Sequence, residues 1–101
     1  MKSKKLRASA RGRNCTLNIV GVCNSNPETV VLCHLPDETG TGIMAGKSDD
    51  WIAVFGCSSC HDILDGRVYS NISKKDLDFY SHRALLRTWR IMIEEGLITI
   101  A

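Results

Sequence analysis

Residues 57–66, CSSCHDILDG, hold two cysteines, a histidine and two aspartates within ten positions. Thiols at C-x-x-C spacing let two sulfurs reach one tetrahedral zinc ion from a tight turn. A four-thiolate site needs a second pair, and Cys15 and Cys23 supply one. The TLNIVGV between them reads as a tiny hairpin that returns the second thiol to the first. Cys15, Cys23, Cys57 and Cys60 are therefore the candidate structural zinc site. The plainer alternative is that they pack as small buried thiols. Cys33 is left over beside His34, and strand alternation points it to the opposite face as a core residue.

The imidazoles are the second chemical resource. His34 stands at the end of an apolar run, just before Pro36. His61 directly follows the second thiol pair, and His82 lies inside a long helical pattern. A zinc ion tying the first cysteine pair to the second fixes the residues after Cys60 in space. His61 is then held at a helix start facing the strand that carries His34, so that the two rings converge over one cleft.

The elements that must position these groups can be read from their patterning. TVVLCHL and WIAVFGC are rich in β-branched and aromatic residues and predict two strands, paired antiparallel. Between them PDETGTGIMAGKSDD reads as a loop, long enough to suggest a functional role. CTLNIVGVC is a β-prone run. SSCHDILDG predicts a short helix stopped by Gly66. Ser73 with Asp76 three residues later marks the start of a long helix, with Leu77, Tyr80, Ala84, Leu85, Thr88 and Met92 on its apolar face and Gly96 at its end. LITIA closes the chain as a short strand or tail. The sum is an α+β fold.

A chain of 101 residues makes one domain with a marginal core, for which a metal is a common staple. Five cysteines argue against a secreted disulfide framework. With no signal peptide and no membrane span apparent, a cytoplasmic setting is expected. The net charge of +2 conceals an asymmetry, because residues 1–13 carry six of the thirteen basic residues and no acid. They read as a basic flexible arm preceding a domain over 14–101. Lys4, Lys5, Arg7, Arg11 and Arg13 are its candidate DNA contacts, since neutralising phosphates releases counterions.

The ordered set of a cysteine pair, CHLP, GTG, SDDWIAVFG and CSSCHD resembles the HNH endonuclease family over about residues 13–66. More narrowly, RGRNC, GVCNSNPETVVLCH, CSSCHD and LLRTW with EEGLI are similar to small prophage-encoded nucleases of the YbcO type. The nuclease domain of the phage protein Ref is a relative of that type. The resemblance implies a zinc-stapled ββα-metal core with a long C-terminal helix, and metal-dependent hydrolysis of DNA phosphodiesters by activated water. It implies His34 as general base and His61 as ligand of a catalytic Mg2+, Mn2+ or Zn2+ ion. Asp65 is one helical turn beyond His61 and can face the same ion, and Asp62 is the neighbouring alternative. Asp50, with Asp49 as its rival, takes the place of the family's central Asn. Cys33 stands where the family has an acid or histidine, and a thiol suits zinc better than magnesium. His82 is a weaker site candidate. DNA is the implied substrate, and a RecA-type recombinase and a link to recombination follow from the Ref likeness.

Two rivals remain at this level. One is a non-catalytic zinc-binding module that docks on DNA or on a recombination protein. The other is a cysteine enzyme built on Cys33 and His34, which is geometrically poor because adjacent strand residues diverge.

Overall fold

A computed structural model describes residues 1–36 and 49–100 of the chain. Its elements in order are α1 (Lys4–Ser9), a 3-10 turn (Pro27–Thr29), β1 (Val31–His34), β2 (Ala53–Gly56), α2 (Ser58–Leu64) and α3 (Lys74–Glu94). β1 and β2 pair antiparallel, with Val31 opposite Gly56 and His34 opposite Ala53. The expected hairpin is present. Most of the loop expected across it, residues 37–48, lies outside the described residues.

β2 is buried along its whole length, because α3 packs across it and the strand reads as the continuous apolar run AVFG. The core centres on Phe55, Leu17, Ile19, Met92 and Val54. A buried polar knot fastens three segments there. Thr16 Oγ1 donates to the Phe55 carbonyl at 2.9 Å and lies 2.9 Å from Thr88 Oγ1, while Thr16 N–H reaches the same carbonyl at 2.7 Å. This knot brings Cys15 to the end of β2, where Cys57 begins α2. Trp89 Nε1 donates to the Trp51 carbonyl at 2.9 Å and ties α3 to the approach to β2.

The helix ends follow the expected chemistry. Cys57 caps α2, its sulfur accepting from Cys60 N–H at 3.4 Å, and Gly66 at φ +71° stops the helix. Ser73 caps α3 by accepting from Asp76 N–H at 3.1 Å. Gly96 at φ +73° closes it, with Leu97 N–H on the Met92 carbonyl at 2.8 Å and Gly96 N–H on that of Ile93 at 3.2 Å.

Two expectations are corrected. Residues 1–13 do not form a flexible arm. Ser3 caps α1, Leu6 and Ala10 are buried in the core, and α1 packs on β1. The 15–23 run forms no strand or hairpin. It is a tight turn in which Val22 and Cys23 N–H both reach the Ile19 carbonyl, at 3.0 and 2.9 Å, and Asn18 and Gly21 hold positive φ. Of the strand or tail expected for the closing residues, 97–100 take the form of a tail, because the N–H groups of Leu97 and Ile98 are spent on the Met92 carbonyl.

Gly56 marks the closest backbone approach. A Cβ there would lie 2.6 Å from Cys33 Sγ and 2.9 Å from Leu17 Cδ1. Gly56→Ala is expected to lower unfolding stability by about 1–3 kcal/mol through overpacking, as read from denaturant midpoints.

Candidate metal centre and active site

The turn at 15–23 and the start of α2 bring four sulfurs together. The Sγ atoms of Cys15, Cys23, Cys57 and Cys60 all lie within 4.8 Å of one another. Four thiolates about 2.3 Å from one zinc ion stand about 3.8 Å apart at tetrahedral angles. The Cys57–Cys23 sulfur separation is 3.8 Å. The site also carries N–H donors suited to thiolates. Asn18 and Cys57 N–H both reach Cys15 Sγ at 3.3 Å. A hydrogen bond from Cys60 holds the Cys15 thiol well below its ordinary value, with the Asn18 and Cys57 N–H groups assisting against burial. The donor set, its spacing and this outer layer of N–H groups all fit zinc.

The fifth cysteine stands apart from this chemistry. Cys33 is fully buried against Gly56. Burial, reinforced by the Asp65 carboxylate, pushes its thiol up to about 12. It is therefore a neutral thiol at physiological pH, a poor nucleophile and a poor ligand for a hard ion. The cysteine-enzyme reading has no support here.

At the end of β1, His34 Nε2 lies 2.8 Å from Asp50 Oδ1. Asp50 is nearly buried and has two further partners. Its Oδ2 accepts Ser3 N–H at 2.5 Å and lies 3.4 Å from Arg7 Nε. Burial works against ionisation of Asp50, but the His34 hydrogen bond, the Ser3 N–H and the charge of Arg7 outweigh it and hold the carboxyl below the usual range. An ionised Asp50 accepts a hydrogen bond from Nε2–H of a neutral His34, which leaves Nδ1 as the proton acceptor. Asp49 instead faces the Met1 amino group, so Asp50 and not its rival orients the imidazole.

The depressed Asp50 carboxyl has a stability consequence. A carboxyl lowered by folding stabilises the native state above its unfolded value and loses that contribution as pH falls through the folded one. Asp50→Asn should therefore narrow the gap in melting temperature to the parent as pH drops below about 4, as read from thermal melts at successive pH values.

On α2, His61 Nε2 lies 3.0 Å from Asp65 Oδ2, the spacing that i,i+4 placement allows. That separation is an ordinary hydrogen-bonded ion pair, and the same two side chains are placed where they could hold one divalent ion. The Arg67 guanidinium meets both aspartates, with Nη2 3.2 Å from Asp65 Oδ2 and Nη1 3.7 Å from Asp62 Oδ1.

Leu35, one residue past His34, and Leu64, one before Asp65, line the same groove of about 880 Å3 against α3. His82 is exposed and lines that groove, and among the described residues it has no ion pair with the His34–Asp50 or His61–Asp65 pair.

The basic residues of the N-terminal segment are divided in role. Lys4, Lys5 and Arg11 are exposed, while Arg7 is drawn to Asp50 and Arg13 makes a bidentate pair with Glu95. The supports that sequence reasoning missed are Ser3 and Arg7 behind Asp50, and Thr16 and Thr88 behind Cys15. Ser3 carried a legible cap signal, three residues before Leu6. The threonine pair carried none, since its partners are 72 residues apart.

The family description "Putative nuclease YbcO" matches residues 4–97. The relatives named "Putative nuclease YbcO" from Escherichia coli K12 and "Putative nuclease ybcO" from Enterobacteria phage 82 are each 44% identical over 98 residues, covering 92% of this chain and 95% of theirs. A solved structure described as "Structure of a putative bacteriophage protein from Escherichia coli str. K-12 substr. MG1655" superposes with a TM-score of 0.72 at 37% identity. It covers 91% of this chain and 100% of its own.

Proposed function

The chain belongs to the YbcO nuclease family, and from that premise we propose that it is a metal-dependent DNA endonuclease of the HNH type. The observation that carries the reading is the Asp50-braced imidazole of His34 at the end of a strand, with the His61–Asp65 pair on the helix that follows. In this reading the four cysteines hold a structural zinc ion that fixes the start of α2. His61 and Asp65 are the ligands of a second, divalent ion. That ion, when bound, supplies positive charge to the phosphate and to the departing oxygen.

The chain's own residues do the rest. His34 Nδ1 accepts the proton of the attacking water. Asp50 holds the ring in the tautomer that exposes Nδ1, and stabilises the imidazolium that forms. Ser3 N–H and Arg7 keep Asp50 ionised and aimed. Exposed Lys4, Lys5 and Arg11 attract the polymer without sequence choice. The prophage setting, the recombination link and a RecA-type partner extend this proposal from the HNH and Ref likeness.

The test is conversion of supercoiled plasmid to nicked circles by the zinc-loaded protein. Nicking is expected with added magnesium or manganese and not without them. DNA binding with no nicking in any divalent ion would instead identify a non-catalytic zinc module.

A further inference from the structure

On the other flank of α3 from the groove near His34, a cleft of about 1010 Å3 runs between the Arg13–Thr16 stretch and the helix. Four arginines line it, Arg13, Arg83, Arg87 and Arg90, against the carboxylate of Glu94. Arg13 is committed to Glu95. Arg83 is held in place: its guanidinium lies 5.4 and 5.2 Å from the ring centres of Phe79 and Tyr80, and its Nη2 donates to the Leu17 carbonyl at 3.2 Å. Its Nε is buried with no hydrogen-bond partner among the described residues. Arg87 and Arg90 are exposed, and among the described residues neither has a carboxylate within ion-pair distance.

Positions 83, 87 and 90 follow a four-then-three spacing and so share one helix face. They span about 10.5 Å of helix axis, the rise of about three phosphates along one DNA strand. Planar guanidinium forks match phosphate oxygens better than ammonium groups do. Leu86, Trp89, Ile91 and Ile93 complete the lining, and among its charged groups the excess of guanidinium over carboxylate favours a polyanion. We infer that this cleft holds the phosphate backbone of the DNA flanking the cut, with Arg87 and Arg90 as the contacting residues and Arg83 behind them. The inference rests on the nuclease reading for its ligand, but places the flanking duplex on α3 and not chiefly on residues 1–13.

The test measures binding alone, in a His34→Ala background, with a short duplex titrated between about 50 and 200 mM salt. Each phosphate contact contributes a slope of about −0.9 in log K against log salt, so adding Arg87→Gln and Arg90→Gln should reduce the slope by about 1.8. Arg87→Lys with Arg90→Lys should largely retain it. Both positions are exposed, so unchanged melting temperatures are expected and serve as the folding control. An unchanged slope would overturn the inference, whether the DNA lies elsewhere or the cleft holds a protein. A protein that shows the slope change yet never nicks DNA would support this surface and remove the nuclease reading.

Discussion

Cys60→Ser is expected to leave the chain without zinc and without a cooperative fold at ordinary temperature. Cys60 is fully buried, and its sulfur is one of four that close the gap between the 15–23 turn and α2. A structural zinc ion contributes about 10–16 kcal/mol of apparent binding energy in small metal-dependent folds, which equals or exceeds the total stability of about 5–15 kcal/mol usual for a domain. The hydrophobic core does not compensate. Leu17 and Ile19 sit in the turn that the ion fastens, so their burial depends on the same closure. Elemental analysis and far-ultraviolet circular dichroism on the same sample provide the check. Cys33→Ala is the control: it removes an equally buried sulfur outside the cluster, and should keep full zinc with only a modest loss of stability. A zinc-free Cys60→Ser protein that melts like the parent would show that the four thiols are merely small hydrophobes.

The second large effect falls on rate. His34→Ala should lower plasmid nicking by about 10²–10⁴-fold, the usual contribution of a positioned general base. Folding should survive, because His34 is partly exposed and Asp50 keeps Ser3 N–H and Arg7 as partners. Asp50→Asn should reduce the rate as well, since an amide does not hold the ring in the tautomer that frees Nδ1. Asp49→Asn should not, as Asp49 faces the Met1 amino group. Kinetics at saturating DNA separate these effects from weakened binding. Equal rates for the parent and His34→Ala would remove His34 from the reaction.

Which parts were legible in the sequence follows from where the physics is local. Both strands, α2 and α3 were readable because β-branched runs, the Ser73 cap and the stops at Gly66 and Gly96 act through neighbours in the chain. The segment KKLRAS was not, because only Leu6 and Ala10 of residues 1–13 are buried, and its docking depends on a strand more than twenty residues away. The 15–23 run misled for the opposite reason. Thr16, Leu17 and Ile19 are buried but Val20 is exposed, and Asn18 and Gly21 turn the backbone so that two thiols meet. The cysteine cluster was visible from spacing, and the His61–Asp65 pair follows from helical periodicity once the family resemblance has drawn attention to it. The support of Asp50 by Ser3 and Arg7 was hidden, since it joins positions 47 and 43 residues apart, and Arg7 read as a DNA contact.

In the proposed mechanism the end of β1 and the helix α2 present His34 and the His61–Asp65 pair to one phosphate. A crystal structure of the zinc-loaded His34→Ala protein with a short duplex and manganese tests it most directly. The prediction is a manganese ion on His61 Nε2 and Asp65 with a backbone phosphate bound to it, and residue 34 facing that phosphate. Manganese absent from His61 and Asp65, or a phosphate seated far from residue 34, would contradict it.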